Sequence, residues 1–174
     1  MSKPIAILSA SRTPLGGMMG SLSALSAPQL GAAAIRSAVE RAAIDPSQVD
    51  EVLMGCVLTA GVGQAPARQA ALAAGLTQST ACTTINKVCG SAMKSVMMAS
   101  NALRAGQATI ALAGGMESMS RAPYLIPQGR QGYRFGHAQM LDHMQYDGLQ
   151  DAYQGVAMGN FAEKCASKYQ FSRE

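Results

Sequence analysis

The stretch ACTTINKVCGSAMKSV, residues 81–96, contains the signals that decide the fold of this chain. The β-branched run at 83–85 predicts the end of a buried strand. The turn-forming residues at 86–90 follow it, and a long run of small and apolar residues from Ser91 predicts a helix. A single cysteine, Cys89, lies at the junction. A strand that passes through a short turn into a helix is typical of α/β proteins with a parallel sheet.

The same alternation extends to both sides of this stretch. Strands are predicted at 4–9, 49–58, 81–85 and 109–113, and helices at 27–43, 65–74 and 91–105. Ser26 is the expected N-cap of the first helix, with Pro28 in its first turn. The helix that follows Cys89 is small or apolar almost all round, so we expect it to be buried on every side. These elements predict an α/β fold with a mostly parallel sheet.

The composition changes after residue 123. All five tyrosines, all three phenylalanines and both histidines lie beyond that point, which places a boundary near residues 119–123. Residues 121–136 are predicted to be irregular, and 138–145 and 155–169 to be helical. The chain stops just after Ser172, a residue typical of helix starts, so we expect it to be a fragment of a longer protein or one chain of a divided one.

The overall chemistry excludes several classes of protein. The net charge is only +4 and the basic residues do not cluster, so nucleic-acid binding is not expected. No window of 18 apolar residues predicts a membrane span, and the start of the chain does not have the pattern of a signal peptide. The four cysteines show no metal-binding or C-x-x-C spacing. We therefore expect free thiols in a reducing cytoplasm.

Cys89 is the residue most suited to covalent chemistry. The start of a helix favours an anion, and the thiolate is the nucleophilic form of cysteine. Lys87 and Lys94 add positive charge nearby, and the small residues after Cys89 leave room for a ligand. The alternative is a small buried structural thiol, which is what most free cysteines are. Cys56, Cys82 and Cys165 are expected to be core or inert thiols.

A cysteine nucleophile usually needs a base, and the first 136 residues contain no histidine. His137 and His143 are expected to be solvated or interfacial, which places the base outside this chain. The pair Gly114-Gly115 indicates a close backbone approach to a site at the end of a strand. Glu117 is expected to hold neighbouring loops rather than to act as an acid or base.

Four motifs in order resemble those of the thiolase family. They are INKVCGSAMKSV at 85–96, GGMESMS at 114–120, SRTP at 11–14 and MGNFAE at 158–163. The resemblance is to the acetyl-CoA acetyltransferase type, and it covers essentially the whole chain. It implies a five-layered α/β/α/β/α fold. Residues 1–118 would form most of the N-terminal half, and residues 119–174 would begin a loop domain that covers coenzyme A and helps to form tetramers.

The resemblance also implies a reaction. Cys89 would take the acetyl group of acetyl-CoA, and a second acetyl-CoA would condense with it to give acetoacetyl-CoA and CoA, or the reverse thiolysis would occur. Leu149 and Met158 would contact the pantetheine or acyl region, and no metal or redox cofactor would be needed. The activating histidine and second cysteine of the family belong to a C-terminal half, so residues 1–174 alone are expected to be inactive.

One departure and two alternatives accompany this interpretation. Several short-chain members of the family carry a histidine before the Met-Gly pair, where this chain has Ala157, so the preferred acyl chain is open. The first alternative is a related condensing enzyme, either a decarboxylating ketoacyl synthase or a hydroxymethylglutaryl-CoA synthase. The second is a thiolase-like carrier or scaffold without turnover.

Overall fold

The computed structural model describes residues 4–174. By its internal contacts the chain divides into two compact units, with the division after Ala122. The first unit contains the sheet and helices predicted from the alternating pattern. The second contains the segments rich in aromatic residues.

A parallel sheet organises the first unit. Its strands are β1 (Glu51–Gly55), β2 (Ala81–Ile85) and β3 (Ala111–Gly115), in the order β2-β1-β3. The helices that connect and flank them are α1 (Ala27–Ala42), α2 (Pro66–Ala73) and α3 (Ser91–Arg104). Both strand pairs are parallel and in register, so Gly55 lies beside Ile85 on one side and Gly115 on the other. The predicted α/β class is confirmed.

The alternation of side chains along β1 separates two layers of core. Val52 and Met54 belong to a buried cluster with residues of α1 and α2, such as Ile35. Leu53, between them, packs instead with Ala99 of α3. Because neighbouring strand residues point to opposite faces, α1 and α2 cover one face of the sheet and α3 covers the other.

The start of α1 follows the prediction closely. Ser26 is the N-cap, and its hydroxyl accepts the backbone N–H of Gln29, whose side chain in turn accepts the N–H of Ser26. This reciprocal pair is a capping box, which satisfies two amides that no helical carbonyl can reach. The helix ends where Ala43 adopts a left-handed conformation with φ of 53°.

Helix α3 is not buried on every side, contrary to the sequence prediction. Its buried stripe consists of Ser91, Ser95, Ala99 and Ala102, all small residues that face the sheet. On the opposite side, Met93 is 73% exposed, Val96 52% and Met97 54%. The helix is apolar, but in the described part of the chain only the sheet packs against it.

The strand predicted at 4–9 is also absent. The segment has no regular secondary structure and pairs with no strand among the described residues, and Ile7 and Leu8 are exposed. The Ser9 hydroxyl donates to the carbonyl of Ala38 at 2.6 Å, which ties the segment to α1. A groove of about 430 Å³ is lined by this segment, by β3 and by apolar residues of α1 and α3. The apolar run has the composition of a strand, but a strand also requires a partner at the sheet edge.

The second unit is built from short elements. Strands β4 (Tyr124–Leu125) and β5 (Leu141–Asp142) pair antiparallel, a π-helix spans Met144–Leu149, and α4 spans Gly159–Tyr169. The helix predicted at 138–145 is therefore wrong for 138–142, and only 143–145 are helical, where the π-helix begins. Residues 141–142 pair with β4, and the Asp142 carboxylate accepts the backbone N–H of Met144 at 2.9 Å to begin the π-helix.

Helix α4 begins four residues later than predicted. The residues before it form a turn closed by hydrogen bonds from Asp151 N–H to Val156 O and from Gly155 N–H to Asp151 O. Gly155 has φ of +67°, a conformation that glycine adopts readily. Across residues 4–174, none of the helices is both long and apolar enough to span a bilayer.

Candidate active site

The turn at 86–90 joins the carboxyl end of β2 to the first residue of α3. Gly90 is the N-cap residue of α3 and offers no side-chain cap. Cys89, directly before it, is exposed. The thiol therefore lies at the surface beside the start of a helix, where the partial positive charge of the backbone favours an anion. The exposure contradicts the alternative of a buried structural thiol, and the role of Cys89 as a nucleophile stays a prediction.

The backbone at Val88 is unusual. Its φ is 46°, in the left-handed region that β-branched residues rarely adopt. The Asn86 side chain accepts the N–H of Val88 at 3.0 Å, and the Ser91 hydroxyl donates to the Val88 carbonyl at 2.6 Å. Strained residues held by several bonds occur often at functional sites. No sequence signal predicted this one, because valine is among the residues least expected there.

Two glycines allow α3 to approach the sheet closely. A Cβ on Gly55 would lie 2.7 Å from the Cβ of Ser91, and one on Gly115 would lie 2.8 Å from the Cβ of Ala92. Both distances are too short for real side chains. The first turn of α3 thus rests on the carboxyl ends of β1 and β3. The close approach expected at Gly114-Gly115 exists, but the partner of Gly115 is this helix rather than a ligand.

Glu117 holds a loop, as predicted. Its carboxylate accepts the backbone N–H of Val57 at 2.8 Å and that of Leu58 at 3.2 Å. Both amides belong to the loop that leaves β1. Since the carboxylate is engaged by these donors, its geometry is that of a structural anchor between the ends of β1 and β3.

The other three cysteines lie in different environments. Cys56 is 1% exposed, and burial together with the nearby Glu117 carboxylate raises the pKa of its thiol to about 12. Burial also raises the pKa of the Cys82 thiol. Both fit the prediction of inert thiols. Cys165 is exposed on α4, so it is not a core thiol, and the expectation that it is inert stays a prediction.

The two histidines differ from each other. His137 is exposed, whereas His143 is buried, with its Nδ1 2.5 Å from a carboxylate oxygen of Asp147. The prediction of a solvated or interfacial residue is therefore wrong for His143. Its bond to Asp147 spans the first turn of the π-helix and stabilises that part of the second unit.

Leu149 and Met158 are neighbours within the second unit. The N–H of Met158 donates to the carbonyl of Leu149 at 2.9 Å, and Gln150 and Ala157 form an isolated antiparallel bridge beside them. Leu149 is partly buried and Met158 is 45% exposed. The two predicted contact residues therefore share one small region that ends at the start of α4. Their role in binding stays a prediction.

No cluster of three or more His, Cys, Asp or Glu residues in the described chain has the arrangement of a metal site. The chemistry available near Cys89 includes the thiol, the backbone amides of the turn and a nearby cation. That cation is Lys87, whose Nζ lies 3.9 Å from the position that a Cβ on Gly90 would occupy.

A parallel α/β sheet with a cysteine-bearing turn at its carboxyl edge is the arrangement that the sequence motifs implied. The family described as the thiolase N-terminal domain matches residues 5–174. The chain therefore belongs to the thiolase family and corresponds to the N-terminal part of its members.

Relatives and a solved structure agree with this assignment. The chain is 51% identical to acetyl-CoA acetyltransferase 2 of Arabidopsis thaliana over 172 residues, which cover 99% of this chain and 43% of that protein. It is 52% identical to the acetyl-CoA acetyltransferase of Cupriavidus necator over 170 residues, which cover 98% of this chain and 43% of that protein.

The solved structure is that of the Acat5 thiolase from Ascaris suum in complex with coenzyme A. It superposes with a TM-score of 0.91 at 42% identity, covering 96% of this chain and 43% of that one. The thiolase fold is confirmed. The chain spans less than half the length of the curated relatives it matches.

Proposed function

We propose that this chain provides the acyl-carrying cysteine of an acetyl-CoA acetyltransferase, and that Cys89 is the nucleophile. The observation that carries the proposal is the exposed thiol of Cys89 on the turn that opens α3, in a chain that belongs to the thiolase family. The similar proteins named acetyl-CoA acetyltransferase support acetyl-CoA as the substrate. The coenzyme A complex of the Ascaris suum thiolase supports coenzyme A as the group that is released and rebound.

The proposed reaction has two steps. In the first, the Cys89 thiolate attacks the thioester carbon of acetyl-CoA, a C–S bond forms to Cys89, and CoA leaves as a thiolate that takes up the proton lost by Cys89. In the second, a base outside this chain takes a proton from the α-carbon of another acetyl-CoA, and that carbon attacks the acyl carbon bound to Cys89. A C–C bond forms, acetoacetyl-CoA is released and the Cys89 thiolate is regenerated. The reverse sequence is thiolysis.

The proposed reaction also needs an oxyanion donor, contacts to coenzyme A and a base. The backbone N–H of Cys89 would donate to the developing oxyanion, as donors do in acyl transfer. Leu149 and Met158 would contact the pantetheine or acyl group, and residues 119–174 would begin the loop domain of a cytoplasmic tetramer. The activating base and the second cysteine would come from residues outside this chain. No metal or redox cofactor takes part in these steps.

Peptide mapping after incubation with acetyl-CoA tests the proposal. In a polypeptide of the relatives' length that contains this sequence, we expect one acetyl group on Cys89 and none after Cys89→Ser. Cys165→Ser, at the other exposed thiol, is the matched control and should acetylate and turn over like the parent.

The opposite results are equally clear. An acetyl group on another residue, or none at all, would contradict the role of Cys89 and favour a carrier or scaffold. Product formation that requires a malonyl thioester would favour a ketoacyl synthase. The 174-residue chain alone is expected to show negligible turnover, so measurable thiolysis by it would contradict the assignment of the base to residues outside it.

A further inference from the structure

The left-handed conformation of Val88 determines where the next residue points. At a φ of 46° the chain leaves Val88 in a different direction from the one that a helical or extended residue would give. Because this conformation is unfavourable for valine, the isolated turn would relax out of it. Some part of the surrounding structure must therefore hold Val88, and with it the direction of the Cys89 side chain.

We propose that Ser91 is the positioning residue that holds this turn and thereby directs the Cys89 thiol, an inference that rests on the proposed role of Cys89. Its hydroxyl oxygen accepts the backbone N–H of Lys87 at 2.8 Å and donates its proton to the carbonyl of Val88 at 2.6 Å. A single hydroxyl thus bonds both the N–H of the residue before the strained valine and the carbonyl of the valine itself. Ser91 is 4% exposed, so water does not compete for these bonds.

The position of Ser91 is itself fixed by packing. Its Cβ lies 2.7 Å from the point that a Cβ on Gly55 would occupy, so the side chain rests on the bare backbone of β1. The backbone N–H of Ser91 also donates to the Val88 carbonyl at 3.1 Å. The hydroxyl therefore acts from a rigid support, as a positioning group requires.

Asn86 braces the same turn from the other side. Its side-chain oxygen accepts the N–H of Val88 at 3.0 Å, and its amide nitrogen donates to the carbonyl of Val57 at 3.4 Å. Val57 is one of the residues held by Glu117. Ser91 is buried and makes two short hydrogen bonds, whereas Asn86 is exposed. We therefore expect Ser91 to contribute more than Asn86 to holding the turn.

Ser91→Ala is the test variant, and Ser95→Ala is its matched control. Ser95 lies one turn further along α3, is fully buried, and has its hydroxyl 2.7 Å from the carbonyl of Ala92 and 2.8 Å from that of Gly114. Ser95→Ala removes a hydroxyl from the same helix, but that hydroxyl bonds no residue of the turn at 86–90. Both variants are compared under conditions in which circular dichroism shows them to be folded.

Two rates are measured. The first is acetylation of Cys89 by acetyl-CoA in the polypeptide of the relatives' length, together with kcat and KM. The second is alkylation of Cys89 by iodoacetamide in the 174-residue chain, with the exposed Cys165 as an internal reference in each sample. We expect Ser91→Ala to lower kcat and acetylation about tenfold with KM little changed, because orientation acts on the chemical step. Ser95→Ala should leave both rates within about twofold of the parent.

A second variant tests the cause of the effect. Glycine adopts positive φ without strain, so Val88→Gly removes the need for a brace. In the Val88→Gly background, Ser91→Ala should slow acetylation by less than about threefold, since coupled residues give non-additive effects. A full tenfold loss in that background would show that Ser91 acts in some other way.

Two other results would overturn the positioning role of Ser91 while leaving Cys89 as the nucleophile. The first is an equal loss of acetylation rate in Ser91→Ala and Ser95→Ala, and the second is an acetylation rate in Ser91→Ala equal to that of the parent. If the parent protein does not acetylate at Cys89, the proposed function fails instead. The alkylation rates of Cys89 relative to Cys165 would then still decide whether Ser91 directs the thiol.

Discussion

Cys56 and Cys89 are chemically identical residues that the structure places in opposite conditions. Cys56 is 1% exposed, with its sulfur 3.7 Å from a carboxylate oxygen of Glu117. A thiolate there would be both desolvated and repelled. Cys89 is exposed and lies beside the first turn of α3. The sequence could suggest this difference from the flanking residues, but the carboxylate beside Cys56 comes from a loop far away in the sequence.

The raised pKa of Cys56 predicts a loss of stability at alkaline pH. The thiol has a pKa of 9.0 in the unfolded chain and of about 12 in the native one, so between these pH values the unfolded state binds fewer protons. The contribution of Cys56 to the free energy of unfolding is therefore fully present below pH 9.0 and is lost as the pH rises from 9.0 to about 12. The slope from one such group is at most about 1.4 kcal/mol per pH unit.

Urea unfolding across this pH range measures the effect. Cys56→Ala should lose stability less steeply than the parent between pH 9.0 and about 12, whatever its stability at neutral pH. Cys165→Ala, which removes an exposed thiol, should follow the slope of the parent. Identical slopes in all three proteins would show that Cys56 does not titrate as the structure indicates.

At the scale of elements, the strand, turn and helix around Cys89 show what sequence patterns can predict. The bounds of β2 and α3 follow from β-branched residues before the turn and small residues after it. The sequence pattern does not explain why residue 115 is a glycine, because a glycine at a strand end can make room either for a ligand or for a packed helix. Only the position of Ala92, 2.8 Å from a Cβ built on Gly115, identifies the helix as the partner.

The two failed secondary-structure predictions have a common cause. Residues 4–9 have the composition of a strand and residues 138–145 that of a helix. The first finds no strand partner among residues 4–174, and the second gives two residues, 141–142, to pairing with β4. Pairing depends on which segments meet in space, and local pattern carries no information about that.

Gly55 provides a test of the contact between β1 and α3. Gly55→Ala would place a Cβ 2.7 Å from the Cβ of Ser91 and 2.9 Å from the backbone nitrogen of Ala92. Because backbone cannot move aside as a flexible side chain can, we expect the free energy of unfolding to fall by about 1–3 kcal/mol. Cys89 alkylation should also change, since the helix that supports the turn must shift.

Gly17→Ala is the control for this experiment. A Cβ on Gly17 meets nothing within 4 Å, so its effect on stability should stay within about 0.5 kcal/mol. Urea unfolding followed by circular dichroism measures both variants. If Gly55→Ala proves as stable as Gly17→Ala, the first turn of α3 does not rest on β1 as described.

At the scale of the whole molecule, the first unit has one well-packed side and one open side. Its larger buried cluster lies between the sheet and the helices α1 and α2. On the other side, α3 exposes Met93, Val96 and Met97. Neighbouring exposed apolar side chains on one helix face are typical of an interaction site.

The open side of α3 predicts opposite effects of one variant in two settings. In the 174-residue chain, changing Met93, Val96 and Met97 together to Gln removes exposed apolar surface. Binding of the dye ANS and self-association at high concentration should then fall by about half or more, with little loss of stability. In a polypeptide of the relatives' length, the same three changes should destabilise the fold by several kcal/mol, because each would place an amide in a buried apolar contact.

Leu15→Gln is the comparison for this variant, since Leu15 is 93% exposed and belongs to the segment before α1 rather than to α3. It should change dye binding little in the short chain and stability little in the long one. Fluorescence titration, sedimentation and urea unfolding provide the measurements. If the triple variant is tolerated in the longer polypeptide as well as in the short chain, that face of α3 stays exposed to solvent, and the apolar composition of the helix has some other cause than burial by the rest of the protein.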